Sequence, residues 1–222
     1  MLLAAVLLSA CGGAKTVDGT KSGSDAASEQ TAEKTSAGGS IDVQIGSSPE
    51  TMDPALNSAA DAANMILHAF TGLLTVDKNQ NIVGGLAEKW ETSEDGLTWT
   101  FHLRPDLKWS DGSDLTAEDF VYSWKILADP SFAALYDFDL LNMIEGYDKA
   151  AKGDLDALAV SAPDKSTFVV KLSNPCTYFD KIASFISTSP VQKVTVEENG
   201  DEWSTKPETY ITSGPYKMTE YV

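Results

Sequence analysis

Apolar and polar residues alternate most clearly between Leu97 and Leu103. Leu97, Trp99, Phe101 and Leu103 fall on one side, and Thr98, Thr100 and His102 on the other. A period of two predicts a strand with one aromatic-rich buried face. Glu94-Asp95-Gly96, just before it, supplies a hairpin turn in which Gly96 is free to take positive φ. Further on the period lengthens: Phe120, Val121, Trp124 and Leu127 recur at helical spacing. Thr116 supplies an N-cap for that helix, and Glu118 and Asp119 put negative charge in its first turn, where the helix dipole favours it. Asp129-Pro130 ends it.

Shorter elements flank this centre. Asp61–Phe70 reads as a helix with Ala62, Met65, Ile66, Ala69 and Phe70 on one stripe and Gly72 as its stop. Ile41, Val43 and Ile45 alternate as a half-buried strand, and Leu73–Val76 is a short apolar strand turned by Asp77-Lys78-Asn79. Leu158–Val160 and Thr167–Leu172 read as strands joined at Pro163-Asp164-Lys165. Tyr178–Ile186 reads as an amphipathic helix with Phe179, Ile182, Ala183 and Ile186 inward. Tyr221-Val222, after the Gly214-Pro215 turn, reads as a last strand. Strands and helices mixed without strict βαβ alternation indicate an α/β or mixed α+β fold.

The N-terminus follows a different pattern. Met1–Leu8 is an uncharged apolar run too short to span a bilayer. It leads into Leu8-Ser9-Ala10-Cys11, an apolar residue and two small ones before a cysteine, which resembles a bacterial lipobox with Cys11 as the lipidated residue. Residues 1–11 are therefore expected to be a lipoprotein signal peptide whose basic first region is missing. Residues 12–40 are mostly Gly, Ala, Ser, Thr and charged residues, with Val17 the one large aliphatic side chain. Such a segment buries too little to offset its ordering entropy, and reads as a flexible tether reaching roughly 30 Å.

Charge narrows the function classes. The 222 residues carry 16 Lys and Arg against 33 Asp and Glu, a formal net charge of −17. A nucleic-acid binder needs a basic footprint to displace phosphate counterions, and docking on anionic lipid needs a polybasic surface. Two cysteines, Cys11 and Cys176, make neither a disulfide scaffold nor a four-ligand zinc cluster. His68 has no histidine at i±4, and His102 lies on the threonine face of its strand. Asp137 with Asp139, and Asp154 with Asp156, lack the third acid and the glycine of a calcium loop and read as solvated acids. No nucleophile elbow, phosphate loop or zinc motif is present, so no catalytic residue, metal ligand or cofactor is indicated.

The stretch LAEKWETSEDGLTWTFHLRPDLKWSDGSDLTAEDFVYSW, Leu86 to Trp124, resembles the signature of the family 5 extracellular solute-binding proteins, substrate receptors of peptide and nickel ABC importers, and is closest to their oligopeptide-binding branch. Thr51-Met52-Asp53-Pro54, Gly72-Leu73-Leu74, Asn174-Pro175 through Tyr178-Phe179, and Ser213–Lys217 are similar to further family elements. Most of these residues have a structural reading: Trp99, Phe101 and Leu103 as core, Gly96 and Gly112 as turns, Asp111 and Thr116 as caps. Cys176 stands where the family has an apolar residue or proline and is expected to be a half-buried free thiol.

The resemblance implies a periplasmic-binding-protein-like type II fold, incomplete here. Residues 41–70 and 197–222 would give part of lobe one, residues 71–196 a small inserted α/β domain, and the second lobe would be absent. It implies no catalytic step and no cofactor. The partners implied are an oligopeptide held between lobes and ABC permease subunits, with a lipid anchor on the extracytoplasmic face of the membrane. Carried over by position, Ser58, Ala59 and Ala60 would contact the ligand backbone, and Tyr136 would face the ligand. From the residues alone, Ser58–Ala60 read equally as a loop or helix start, and Tyr136 as a core aromatic beside Phe132 and Phe138. Dipeptides, nickel chelates, haem or oligosaccharides are alternative ligands on this scaffold. A secreted hydrolase using a carboxylate pair is the alternative of another class.

Overall fold

The computed structural model describes residues 46–221; the expected strand at Ile41–Ile45, the tether and Cys11 lie outside them. The described chain begins with a helix, α1 (Ala60–Ala69), and a small antiparallel hairpin of β1 (Leu74–Val76) and β2 (Ile82–Gly84). Four further strands, β3 (Ala87–Thr92), β4 (Thr98–Leu103), β5 (Val160–Asp164) and β6 (Thr167–Lys171), form a sheet in the order β3-β4-β6-β5 with every neighbour antiparallel. Between β4 and β5 the chain forms α2 (Ala117–Leu127), α3 (Asp137–Leu141) and α4 (Tyr147–Ala150). After β6 come α5 (Phe179–Ala183) and α6 (Lys193–Asn199).

The alternation in β4 carries straight into burial. Trp99, Phe101 and Leu103 are buried, while Thr98, Thr100 and His102 are only partly covered on the other face. Phe101 pairs across the ladder with Phe168 of β6, and Trp99 with Val170, so the aromatic face continues from strand to strand. Gly96 takes φ 71° in the turn before β4, as the hairpin requires. Helix α2 covers the aromatic face. Its Phe120, Trp124 and Leu127 are fully buried, with Val121 at the margin. Thr116 caps it, its backbone N–H donating to the Asp119 carboxylate at 2.7 Å. The Trp124 ring meets Phe168 edge-on at 5.1 Å and Phe179 of α5 at 6.1 Å.

Several expectations are corrected. The ladder of β5 begins at Val160 and runs through Pro163, rather than occupying Leu158–Val160. Proline is tolerated there because β5 is an outer strand and its pairing is irregular between Ser161 and Asp164. The helix expected at Tyr178–Ile186 stops at Ala183; Phe185 is extended (φ −76°, ψ 141°) and a 3₁₀ turn follows at Ile186–Thr188. The Thr188 hydroxyl donates to the carbonyls of Phe185 (2.7 Å) and Ile182 (3.2 Å), which holds the chain out of the helical path. Met65 is exposed, because α1 buries only the narrower stripe of Ala62, Ile66 and Ala69. Cys176 is a buried free thiol rather than a half-buried one, and Phe138 is exposed. The segment from Pro215 to Tyr221 joins no strand ladder among the described residues. It is fastened instead to the end of α1, with Gly214 N–H donating to Ala69 O at 2.8 Å and Tyr216 N–H to His68 O at 3.3 Å.

Gly146, ahead of α4, has φ 84°, and a Cβ there would lie 1.8 Å from the Ala157 carbonyl oxygen. Only glycine fits both the left-handed backbone and that close approach.

A second packed region joins residues distant in sequence. Phe70 meets Trp203 and Tyr210 edge-on, and these two rings stack on each other at 5.7 Å. The Tyr210 hydroxyl donates to Met52 O (2.9 Å), and the Trp203 indole donates to the Asp53 carboxylate (3.0 Å). Asp53 is 3% exposed. Burial pushes its carboxyl up to about 6, against the opposing pull of hydrogen bonds from Ala55 N–H and the Trp203 indole.

Two outcomes follow from this packing. Phe101→Ala should destabilise the protein by about 3–5 kcal/mol, as for large buried aromatics; a loss below about 1 kcal/mol in urea melts would refute the assigned face. Asp53 titrates near 6 when folded and near 3.8 when unfolded. Its contribution is therefore complete below the unfolded value and lost as pH rises through 6. The stability of the wild type relative to Asp53→Asn should grow on acidification from pH 7.5 to 4.5, by about 2 kcal/mol. Urea melts at the two pH values measure it, and a constant or shrinking gap would contradict the assignment.

Candidate ligand-binding site

Four stretches distant in sequence meet around one open cavity of ≈ 370 Å³. They are Asn57–Ala60 with Ala63 and Leu67 of α1, Val76 at the end of β1, Tyr136 ahead of α3, and Ser184–Ile186 after α5. All four sequence-derived contact residues, Ser58, Ala59, Ala60 and Tyr136, lie on its wall. Cys11 lies outside the described residues.

Asn57 organises the first wall. It is buried, and its side-chain oxygen accepts the Ala59 N–H at 3.2 Å, turning the chain into α1. Ala59 is extended (φ −113°, ψ 142°), and its carbonyl accepts the Ala63 N–H at 3.1 Å. Both backbone groups of Ala59 are thus engaged inside the protein. Among the described residues, the N–H and carbonyl of Ser58 and the N–H of Ala60 have no partner. Ala60 opens α1, and a helix's first turn always leaves donors unmatched. Ser58, Ala59 and Ala60 are all exposed, so these free groups face solvent or a ligand.

Tyr136 starts α3, its carbonyl accepting the Leu140 N–H at 3.0 Å. It is half-buried, packs against the core, and meets the Phe185 ring edge-on at 5.7 Å. Its hydroxyl has no partner among the described residues. Phe185 is 40% exposed. Its position is set from beneath: its carbonyl accepts from Thr188 N–H and from the Thr188 hydroxyl, and the Thr188 carbonyl accepts the Trp124 indole N–H at 3.0 Å. The wall of the cavity is thereby tied to the centre of the core.

Sequence reasoning missed Phe185, Ile186, Leu67, Val76 and Asn57 as lining residues. A signal was present for two of them. Leu67 and Phe185 are large apolar residues that fall off the buried stripes expected for their helices, and both are exposed here.

The lining holds no Asp, Glu, Lys, Arg or His. It offers apolar surface, one phenol, the Asn57 amide, serine hydroxyls and free backbone groups. Such a wall binds by enclosure and neutral hydrogen bonds, and it presents no acid–base pair. Of the four acids considered from sequence, two are engaged elsewhere: Asp137 accepts the Tyr147 hydroxyl (2.8 Å) and Asp156 pairs with Lys125 (2.6 Å). His102 contacts Glu91 at 3.3 Å on the partly covered face of the sheet. Among the described residues no three His, Cys, Asp or Glu side chains gather as a metal site, and no helix is long and apolar enough to cross a membrane.

Comparison with known proteins places this architecture. Residues 81–222 match the model of the bacterial extracellular solute-binding proteins, family 5 Middle. The chain is 43% identical over 180 residues to the periplasmic oligopeptide-binding protein OppA of Salmonella typhimurium, covering 80% of this chain and 33% of that protein. It is 34% identical over 224 residues to the oligopeptide-binding protein OppA of Bacillus subtilis, covering 100% of this chain and 39% of that one. The crystal structure of Haemophilus influenzae OppA in complex with RPPGFSPFR superposes with a TM-score of 0.76 at 36% identity, over 80% of this chain and 35% of that one. The chain thus spans about a third of the length of the relatives it matches. The family match, the identities and the mixed α and β architecture agree: the chain belongs to family 5 of the bacterial extracellular solute-binding proteins.

Proposed function

We propose that this chain is part of the substrate-binding lipoprotein of an ABC importer, one that captures oligopeptides in a cleft and hands them to permease subunits with no catalytic step of its own. One observation carries the reading: Ser58–Ala60 and Tyr136, more than seventy residues apart, line one uncharged cavity with unmatched backbone groups at its rim. An extended peptide supplies the complementary backbone donors and acceptors, and its side chains need only room. The names of the relatives, oligopeptide-binding proteins in three bacteria, support the same reading. A cavity wall without Asp or Glu favours a binding protein over a carboxylate-pair hydrolase.

The division into residues 41–70 with 197–222 as part of lobe one, and 71–196 as the inserted domain, belongs to the proposal. The Asp53–Trp203 and Met52–Tyr210 hydrogen bonds support it, since they join the two outer stretches directly. Attachment to the extracytoplasmic face through a lipid on Cys11 completes the reading, supported by the Leu8-Ser9-Ala10-Cys11 sequence.

In the intact protein, Tyr136→Ala should weaken binding of a pentapeptide pool by about tenfold, since a central aromatic contact is lost. The melting temperature should fall little, because Tyr136 is only half-buried. Calorimetry with parallel melts decides; unchanged affinity with a large stability loss would make Tyr136 purely a packing residue. Cys11→Ala should release the protein from membranes or leave it unprocessed, as read by fractionation. Membrane attachment identical to wild type would exclude the lipid anchor.

A further inference from the structure

We infer that Phe185 is a specificity-determining residue: it makes the cavity beside Tyr136 a receptacle for one apolar or aromatic side chain of the bound peptide, and it selects against an acidic side chain there. The inference rests on the peptide-binding reading above and adds to it a residue and a chemical preference.

Phe185, Leu67 and Val76 are exposed large apolar side chains, and all three line this one cavity. The Tyr136 and Phe185 rings, edge-to-face at 5.7 Å and 75°, form a corner. Ile186 adds to the same apolar wall. The volume of ≈ 370 Å³ leaves room for a large side chain and falls in the range of small-ligand pockets, about 300–1,000 Å³.

The corner is also stiff. Phe185 leaves the path of α5 because Thr188, 1% exposed, binds its carbonyl through both its N–H and its hydroxyl. Thr188 is in turn held by the Trp124 indole. An exposed aromatic mounted on a fully buried support is placed for contact with something outside the chain, because the core gains little from it.

Charge sets the sign of the preference. A chain of net charge −17 has a cavity wall without a single ionised side chain, so an acidic ligand side chain would lose water there and gain no cation. A leucine or phenylalanine would lose only apolar surface to water, which favours burial.

The test uses the intact protein and a pentapeptide set on an all-alanine base, with Leu, Phe, Lys or Asp placed at each position in turn. Affinities are read by competition calorimetry. At one position, Leu or Phe should bind at least about tenfold more tightly than Asp, the scale expected for burying one such side chain. Phe185→Ser should cut that Leu-to-Asp ratio by at least about threefold. If Phe185→Ser fails to fold, Leu67→Ser, which lines the same cavity, should show the same narrowing. Peptides that bind with no apolar preference, or a ratio untouched in the folded variant, would overturn this inference and leave the peptide-binding reading standing. Binding of no peptide in the set would overturn both.

Discussion

The indole of Trp124 is the contact on which the remaining structure depends. Its ring lies edge-on to Phe168 of β6 and packs against Phe179 of α5, while its N–H donates to the Thr188 carbonyl. One fully buried side chain on α2 therefore joins the sheet, the helix after it and the turn beyond that helix. The neighbouring Ser123 adds a second tie, accepting the Val191 N–H at 2.8 Å. A buried indole needs a partner for its N–H, and this requirement pins the 186–191 segment in one place. The cavity wall at Phe185 inherits its position from that bond.

A second constraint works at the opposite end of the sequence. Asp53 and Met52, near the start of the described chain, are bonded to Trp203 and Tyr210 near its end. A buried carboxyl held by a backbone N–H and an indole N–H is costly to desolvate but exact in direction, since both donors must be present. It fixes the loop that leads into α1, while the Gly214–Ala69 bond fastens the far end of that helix. That loop carries Ser58–Ala60, so one wall of the cavity is anchored by this cluster and the other by Trp124.

The resulting site combines rigid walls with an uncharged lining. A solute-binding protein that accepts many peptides needs contacts common to all of them, namely to the peptide backbone, and side-chain pockets that impose few demands. On the proposed function, the unmatched backbone groups at Ser58 and Ala60 would meet the first need. On the same proposal, the apolar corner at Tyr136 and Phe185 would receive one such side chain and bias the choice toward apolar ones.

Much of the fold was legible from the residues. The alternation of Leu97 to Leu103 determined a strand and its buried face, since side chains on a strand must point to opposite sides. The Thr116–Asp119 spacing determined the start of α2, because a cap is a local hydrogen bond. The motifs from Leu86 to Trp124 identified the family through residues that mostly build the core. Where the reading failed, long-range contacts had decided. Helix α5 ends early because Thr188 captures the carbonyls of Ile182 and Phe185, and Thr188 is held by a tryptophan over sixty residues away. Proline survives in β5 because that strand lies at the sheet's edge, a position set by pairing order rather than by local sequence. The cavity likewise belongs to no single segment. Family likeness placed Ser58, Ala59, Ala60 and Tyr136 in one site, but only tertiary packing brought Leu67, Val76 and Phe185 beside them, because those contacts join stretches whose separation along the chain carries no local signal.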